Sequence, residues 1–233
     1  MENTVTRIFS FDFIYLDLAF CLVWMIILVL KNKNRSLTFG LAGAVIVFFF
    51  DDVMWFHLKG TRHIQAPINP DLFLLYFSFT YGMIEFSYVT LMFAAKNKRE
   101  MAFWTILLYA GWFLSAFLSQ WMPIDERIVN VSRDMSSSRI TQIIMVVFGY
   151  TLLIVLRNKW EALSQIKYRK ILYLFAVGFV VHFGMEISLA LSGIRPYTGN
   201  LDVLAFNSLF EFNSGIPYIF IAWTYINRAK KVA

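Results

Sequence analysis

The chain contains seven apolar stretches, and each of them is long enough to cross a membrane. They cover residues 12 to 30, 38 to 58, 72 to 95, 102 to 121, 139 to 156, 171 to 192 and 203 to 226. One crossing of the hydrocarbon core needs about 20 mostly apolar residues. With 233 residues, of which 59% are hydrophobic and 15% are charged, the chain leaves no room for a separate soluble domain. We therefore predict an all-α integral membrane protein with seven transmembrane helices that form one domain over residues 1–233.

The basic residues between these stretches predict the orientation of the helices. Fourteen Lys and Arg fall on one side of the predicted membrane and seven on the other. The seven are Arg7, Lys59, Arg62, Arg127, Arg133, Arg139 and Arg195. The positive-inside rule then places the N-terminus outside and the C-terminus in the cytoplasm. We expect the membrane to be the inner cell membrane of a bacterium, or the endoplasmic reticulum in a eukaryote, and its lipids to be partners of the protein.

The chain carries a weak internal repeat. When it is shifted by 133 residues, Gly60 and Arg62 fall on Gly193 and Arg195, at equivalent ends of helices two and six. Several Phe positions match in the same register. This pattern predicts two parallel three-helix units, residues 12–100 and 139–231, which helix four (102–121) links in a 3+1+3 arrangement.

Six acidic residues lie within the apolar stretches, where a charged group is costly and usually faces a cavity or a partner. They are Asp17, Asp51, Asp52, Glu85, Glu186 and Glu211. The repeat places Asp52 and Glu186 at positions that differ by one residue, so we expect them to face each other. No basic residue lies within the stretches near these two acids, and we expect both to lack a basic partner and to be partly protonated near neutral pH.

Polar and aromatic residues share helix faces with these acids. The predicted substrate-binding residues are Asp51, Trp55, Tyr81, Glu85, His182, Asn207 and Trp24. Three alternatives stay open at this point. His182 can be an interior histidine that holds Glu186, and Glu85 can be a contact between helices. Asp51 and Asp52 are adjacent and diverge by about 100° on a helix, so one of them is expected to be structural.

Several function classes are excluded by what the sequence lacks. Helix seven has no lysine, which excludes a retinal Schiff base. There is a single cysteine, Cys21, and no pair of histidines at metal-ligand spacing, so we predict neither a metal nor another cofactor. The basic residues form no patch interleaved with aromatic residues, so nucleic acid is not expected as a partner. The oligomeric state is left open.

The acidic motifs resemble those of small membrane terpene cyclases, namely the seven-helix enzymes of fungal meroterpenoid pathways and the heterodimeric type of lycopene cyclase. The resembling segments are residues 48–55 (FFFDDVMW), 84–86 (IEF), 185–186 (ME) and 210–212 (FEF). The chain departs from that pattern because Pro70-Asp71 is followed by no second acid, and Glu85 and Glu211 each stand alone.

The resemblance implies an enzyme that protonates a prenyl or other lipid-like substrate taken from the bilayer. It assigns Asp52 and Glu186 as the general acid and its partner, and Glu211 as a residue that assists proton removal. The chain has 25 Phe, 11 Tyr and 7 Trp, and aromatic faces attract cations, so these residues would steer the carbocation.

Two other function classes fit the same pattern. The repeat, the acids and Pro217 within helix seven also match a 3+1+3 transporter or binder of small solutes, similar to the sugar-exporting and vitamin-uptake families. The proline tetrads and Trp-rich motifs of those families are not evident here. A structural protein whose polar residues only join helices is the third possibility.

Overall fold

The computed structural model describes residues 4–164, 166–196 and 201–232. The α-helices are α1 (Phe11–Leu30), α2 (Asn34–Phe48), α3 (Pro70–Ala94), α4 (Lys98–Leu118), α5 (Ser136–Lys159), α6 (Glu161–Ser164), α7 (Tyr168–Leu191), α8 (Leu201–Phe210) and α9 (Ile216–Val232). A π-helical segment, Phe49–Leu58, continues α2, and a 3₁₀ turn, Phe212–Ser214, separates α8 from α9. The strands are β1 (Thr4–Ser10), β2 (Arg62–Gln65) and β3 (Ile128–Asp134).

Six helices within the described ranges are long and apolar enough to cross a membrane. They are α1, α2 with its π-helical continuation, α3, α4, α5 and α7. α1, α2, α4 and α5 are mostly exposed in the isolated chain, and apolar residues such as Leu22, Val45 and Ile106 cover their outer faces. Apolar outer faces on helices of this length match a hydrocarbon solvent. The expectation of a largely helical, membrane-embedded protein is confirmed.

The last apolar stretch forms two helices instead of one. Gly215 and Pro217 lie at the break, and proline removes a backbone donor and crowds the preceding turn. The buried Asn213 side chain compensates for the interruption. Its Nδ2 donates to the carbonyls of Leu209 and Phe175, at 3.0 and 3.2 Å, and its Oδ1 accepts from the Tyr150 hydroxyl at 2.8 Å. Irregular backbone at membrane depth persists where such partners replace the lost bonds.

The three strands form an antiparallel sheet in the order β1-β3-β2. They lie outside the seven apolar stretches that the sequence predicts as helices, so the all-α prediction is incomplete. β1 leads into α1, β2 follows the π-helical segment and β3 leads into α5, which brings the sheet to one end of the helix bundle, here called the sheet end. Residues alternate along a strand, and Val5, Phe9, Val129 and Val131 are the buried apolar ones.

α3 is the most buried of the six long helices and forms the centre of the bundle. It packs very closely against α2 through Gly43 and Gly82. A Cβ atom added to Gly82 would lie 2.5 Å from the backbone of Ala44, so only glycine fits there. Asn69 caps the first turn of α3 by accepting from the backbone N–H of Asp71 at 2.7 Å, and Pro70 starts the helix without needing a donor.

Candidate functional site

Five arginines converge inside the sheet end of the described structure, and they come from five different places in the chain. Arg7, Arg62 and Arg133 lie on β1, β2 and β3, Arg139 lies in the first turns of α5, and Arg195 follows α7. All five are largely buried, and Arg62 and Arg195 are each only 3% exposed. Buried guanidinium groups need acidic partners.

The acids of the helices provide those partners. Arg62 donates to Asp51 at 2.8 Å, Arg7 and Arg195 both donate to Glu186, and Glu211 lies 3.5 Å from Arg139. Arg133 lies 4.0 Å from the same Glu211 carboxylate. The expectation that Glu186 lacks a basic partner is therefore wrong, because arginines from the strand and loop segments reach back into the bundle.

His182 connects three of the predicted acids. Its Nε2 lies 2.5 Å from Glu211 Oε2 and 3.9 Å from Glu186 Oε1, while its Nδ1 lies 3.9 Å from Glu85 Oε1. The sequence pairs His182 with Glu186, four residues away on the same helix, but the closest contact is with Glu211 on the broken seventh segment. His182 thus lies between the arginine-bound acids and Glu85.

The inner face of α3 carries buried polar atoms without hydrogen-bond partners in the described structure. They are Ser78 Oγ, Tyr81 Oη and Glu85 Oε1, and Asn207 of α8 adds both amide atoms of its side chain. Ser78, Tyr81 and Glu85 follow helical spacing, and Glu85 is 5% exposed. Unpaired polar atoms in a protein interior are costly, and bound water or a ligand is the usual explanation.

Asp51 and Asp52 contact different partners, as expected for adjacent residues on a helix. Asp51 faces the arginines through its bond to Arg62. Asp52 is also buried, but its ionisable neighbours are exposed: Oδ1 is 3.6 Å from His57 Nε2, which is 2.9 Å from Asp71. Both residues lie in the π-helical segment Phe49–Leu58, and π-helical geometry is frequent at functional sites.

Two groups of side chains have metal-ligand chemistry. Asp52, His57 and Asp71 form one, and His182, Glu186 and Glu211 form the other, with ligand atoms within 4.8 Å of one another in each. The carboxylates of the second group already contact arginines, whose charge opposes a cation. The first group has no such competition among the described residues and could hold a divalent cation.

The remaining predicted residues divide between the site and the core. Trp55 lies at the site, with Arg133 Cζ 3.6 Å and Arg62 Cζ 5.6 Å from its ring centroid. Trp24 is fully buried, donates to Ser87 Oγ at 2.8 Å and packs edge to face on Trp104. These contacts account for the burial of Trp24 without a ligand.

An apolar groove of about 480 Å³ opens on the outside of the bundle between α1 and α3. It is lined by Ile14, Tyr15, Leu18, Ile68, Leu72, Phe73, Leu75, Tyr76 and Phe79. The Tyr76 hydroxyl donates to the buried Asp17 at 2.9 Å, which explains why this membrane acid is tolerated. Phe73 stacks on Phe77, whose ring lies 5.4 Å from Arg62 Cζ. One aromatic layer therefore separates the groove from the arginines.

The arginines are the residues that sequence reasoning misses. Two features of the sequence could have revealed them. Six of the seven basic residues on the predicted outer side are arginines, and Gly-x-Arg occurs at both Gly60 and Gly193. Burial lowers the pKa of the Arg62 guanidinium, and it lowers the pKa of Arg133 to about 10, while the nearby acids oppose both shifts.

No family model, curated protein or solved structure matches this chain. Its function is therefore inferred from the geometry of the site.

Proposed function

We propose that the protein crosses the membrane seven times, with α8 and α9 as a broken seventh span. The N-terminus and the sheet end lie outside, and the C-terminus lies in the cytoplasm. The distribution of Lys and Arg supports this orientation, because the sheet end carries the smaller number of them. Of the seven arginines and lysines on that side, five are the arginines that contact Asp51, Glu186 and Glu211. The outer loops therefore carry little positive charge that is not already paired with an acid.

The proposed 3+1+3 repeat is supported by two similar turns. Gly60 and Gly193 follow helices two and six, and both have a positive φ, of 59° and 86°. Two residues later, Arg62 and Arg195 turn back to bind Asp51 and Glu186 of the preceding helices. This shared arrangement of glycine, arginine and buried acid is expected of duplicated units.

For the activity, we propose an integral membrane enzyme that acts on a prenyl or similar lipid-like substrate by acid–base chemistry of the terpene-cyclase type. The apolar groove beside α1 and α3 fits the hydrocarbon part of such a substrate and opens where lipid would lie. The observation that carries the proposal is Glu85, a buried acid with an unpaired oxygen that lies 3.9 Å from the ionisable side chain of His182.

In this proposal Glu85 replaces Glu186 as the first candidate for the proton donor. A carboxylate held by two guanidinium groups is a poor donor, whereas Glu85 contacts no arginine among the described residues. The Glu85 carboxyl would give its proton to a terminal alkene or epoxide, and the resulting cation would cyclise beside Phe77 and Tyr81, whose rings are 4.2 Å apart. Asp52, also without an arginine, is the second candidate for the donor.

The cycle closes through His182. A proton lost from the cyclised cation would pass to Glu211 or His182, and His182 would return it to Glu85, so that the overall reaction is an isomerisation. The distances of 2.5 Å to Glu211 and 3.9 Å to Glu85 support this order. Glu186, placed between Arg7 and Arg195, would hold the arginines in position.

Product analysis tests the proposal. Purified protein is incubated with farnesyl, geranylgeranyl and squalene-type alkenes and their terminal epoxides, and lipid extracts are examined by mass spectrometry for cyclised isomers. We expect Glu85→Gln to abolish a product that wild type forms, and Glu126→Gln, a change at an exposed loop acid, to retain it. Loss in Asp52→Asn with retention in Glu85→Gln would transfer the donor role to Asp52. Retention in both variants would contradict the proposal.

A second candidate function is supported by the broken seventh span. Transporters often place their substrate at discontinuous helices near the middle of the membrane. Here the break begins beside Glu211, which contacts His182 and Arg139. A carrier would move a labelled solute into proteoliposomes in a manner that depends on Glu211 and would leave prenyl compounds unchanged.

A further inference from the structure

A small pocket lies beneath the sheet, apart from the polar face of α3. It has a volume of about 20 Å³ and is lined by Val5, Arg7, Arg62, Val131, Arg133, Met135 and Glu211. Arg62 and Arg133 are direct partners across β2 and β3. Two like charges opposite each other destabilise a sheet, so a counter-charge near this pair is favourable. The side chains of Arg7 and Arg133 are 12% and 13% exposed, so the pocket can be reached from solvent.

The pocket is rich in unused hydrogen-bond donors. Five buried guanidinium nitrogens of its three arginines have no acceptor in the described structure: Arg7 Nε, Arg62 Nε and Nη1, and Arg133 Nε and Nη2. Arg62 is only 3% exposed, so bulk water has little access to its unpaired N–H donors. Each charged donor left without an acceptor is costly.

The charges around the pocket are also unequal. Within the part of the chain that the structure describes, five arginines contact three carboxylates, those of Asp51, Glu186 and Glu211. Glu211 lines the pocket, but His182 and Arg139 already contact it. The lining of the pocket itself holds three arginines and one carboxylate, that of Glu211.

We propose that the pocket between Arg7, Arg62 and Arg133 binds a phosphate group, either on a lipid-like molecule or free in solution. Arginine binds phosphate through paired N–H donors, and a phosphate ester supplies three acceptor oxygens and close to two negative charges. A carboxylate supplies only two oxygens and one charge, which leaves donors unused. This inference goes beyond the proposed catalysis, because binding can be measured without turnover.

Calorimetry in a maltoside detergent and a phosphate-free buffer tests the inference. The probes are pyrophosphate, farnesyl phosphate, uncharged farnesol and palmitate as a carboxylate. We expect at least one phosphate probe to bind more tightly than farnesol and palmitate. Arg133→Gln is expected to raise its Kd about tenfold or more, and Arg127→Gln, a change at an exposed arginine of the same end, to leave it unchanged.

A second variant keeps the inference testable if Arg133→Gln does not fold. Asp51→Asn combined with Arg62→Gln removes a buried ion pair without leaving an isolated charge, and it should also raise the Kd. Thermal unfolding identifies the variants that fold, and if only Arg133→Gln folds, that variant decides.

The two sources of phosphate give different results. If farnesyl phosphate alone binds and Leu72→Trp, which fills the groove, weakens it, the phosphate belongs to a lipid. If pyrophosphate binds equally well and Leu72→Trp has no effect, the natural ligand is a phosphate that is free in solution. Failure of both phosphate probes to bind folded wild type, tighter binding of palmitate, or an unchanged Kd in folded Arg133→Gln would overturn the inference.

Discussion

His182 Nε2 lies 2.5 Å from Glu211 Oε2, and this contact joins α7 to the point where the last helical segment breaks. The backbone leaves the α-helical path directly after Glu211, where Ser214 Oγ donates to the Glu211 carbonyl at 2.6 Å. The same carboxylate lies within 3.5 Å of Arg139. Glu211 therefore lies at the break in the last helical segment and contacts both His182 and Arg139 at the sheet end.

The two interior glutamates are predicted to differ in what they contribute. Glu186→Gln removes the buried carboxylate that Arg7 and Arg195 both contact and should destabilise the protein by about 3–5 kcal/mol. Glu85→Gln leaves no arginine unpaired and should cost less than about 1 kcal/mol. Unfolding in mixed detergent micelles measures both. Equal losses in the two variants would remove the distinction between a structural and a catalytic acid.

Trp24 is predicted to matter for stability and not for activity. Trp24→Phe removes the hydrogen bond to Ser87, while the Ser87 hydroxyl keeps its bond to the Ile84 carbonyl. We expect a loss of about 1 kcal/mol in the free energy of unfolding. Product formation per folded molecule should not change. If Trp24→Phe had unchanged stability and reduced activity, the result would contradict this prediction and would favour a role of Trp24 in substrate binding.

The close packing of α2 on α3 makes Gly82 sensitive to any side chain. A Cβ atom there would lie 2.5 Å from backbone atoms of Ala44, which cannot rotate away, so Gly82→Ala should cost about 1–3 kcal/mol. Gly215→Ala is the matched control, because its Cβ would lie 3.6 Å from the nearest atom, an ordinary contact. Thermal unfolding of both variants should show a lower midpoint for Gly82→Ala. A lower midpoint for Gly215→Ala would contradict this packing.

Phosphate binding is predicted to depend on pH in two ranges. Affinity should increase from pH 5 to pH 7, because a phosphate ester loses its second proton near pH 6. It should fall as the pH rises through about 10, because burial lowers the pKa of Arg133 to about 10 and the neutral side chain no longer attracts an anion.

The lowered pKa of Arg133 also determines how the stability of the folded protein changes with pH. A base whose pKa is lower in the folded chain than in the unfolded chain gains stability as the pH rises through the folded value. The ligand-free protein should therefore not lose stability through Arg133 near pH 10, where binding weakens. Calorimetric titrations at several pH values check this, and Arg133→Gln should lack the decline near pH 10. A decline of equal size in that variant would assign it to another group.

The sequence predicts the long helices well because hydropathy is a local property. The predicted stretch 72 to 95 corresponds to Pro70–Ala94, and 171 to 192 to Tyr168–Leu191. The burial of Glu85 and Glu186 within the bundle also follows from their place in apolar runs. The last stretch, 203 to 226, is predicted as one helix, and the structure divides it into α8 and α9 close to Pro217.

The partners of those acids could not be predicted in the same way. Arg7 and Arg133 are brought together by a sheet that pairs residues 4–10 with 128–134, and such long-range pairing leaves little trace in a short, mixed strand sequence. That Asp51 and not Asp52 meets an arginine depends on the position of Arg62 on β2, which a helical sequence pattern does not contain. The roles assigned to Asp52, Glu186 and Glu211 by resemblance stay predictions.

Deuterium labelling tests proton donation by Glu85 most directly. The purified protein is exchanged into D₂O and given the prenyl alkenes and epoxides, and the products are analysed by mass spectrometry. A reaction that begins with protonation of the substrate should place one deuterium from solvent on a carbon of the cyclised alkene product, and Glu85→Gln should form none of this product while Glu126→Gln forms it normally. Cyclised product without deuterium, or labelled product at the wild-type level in Glu85→Gln, would contradict the account.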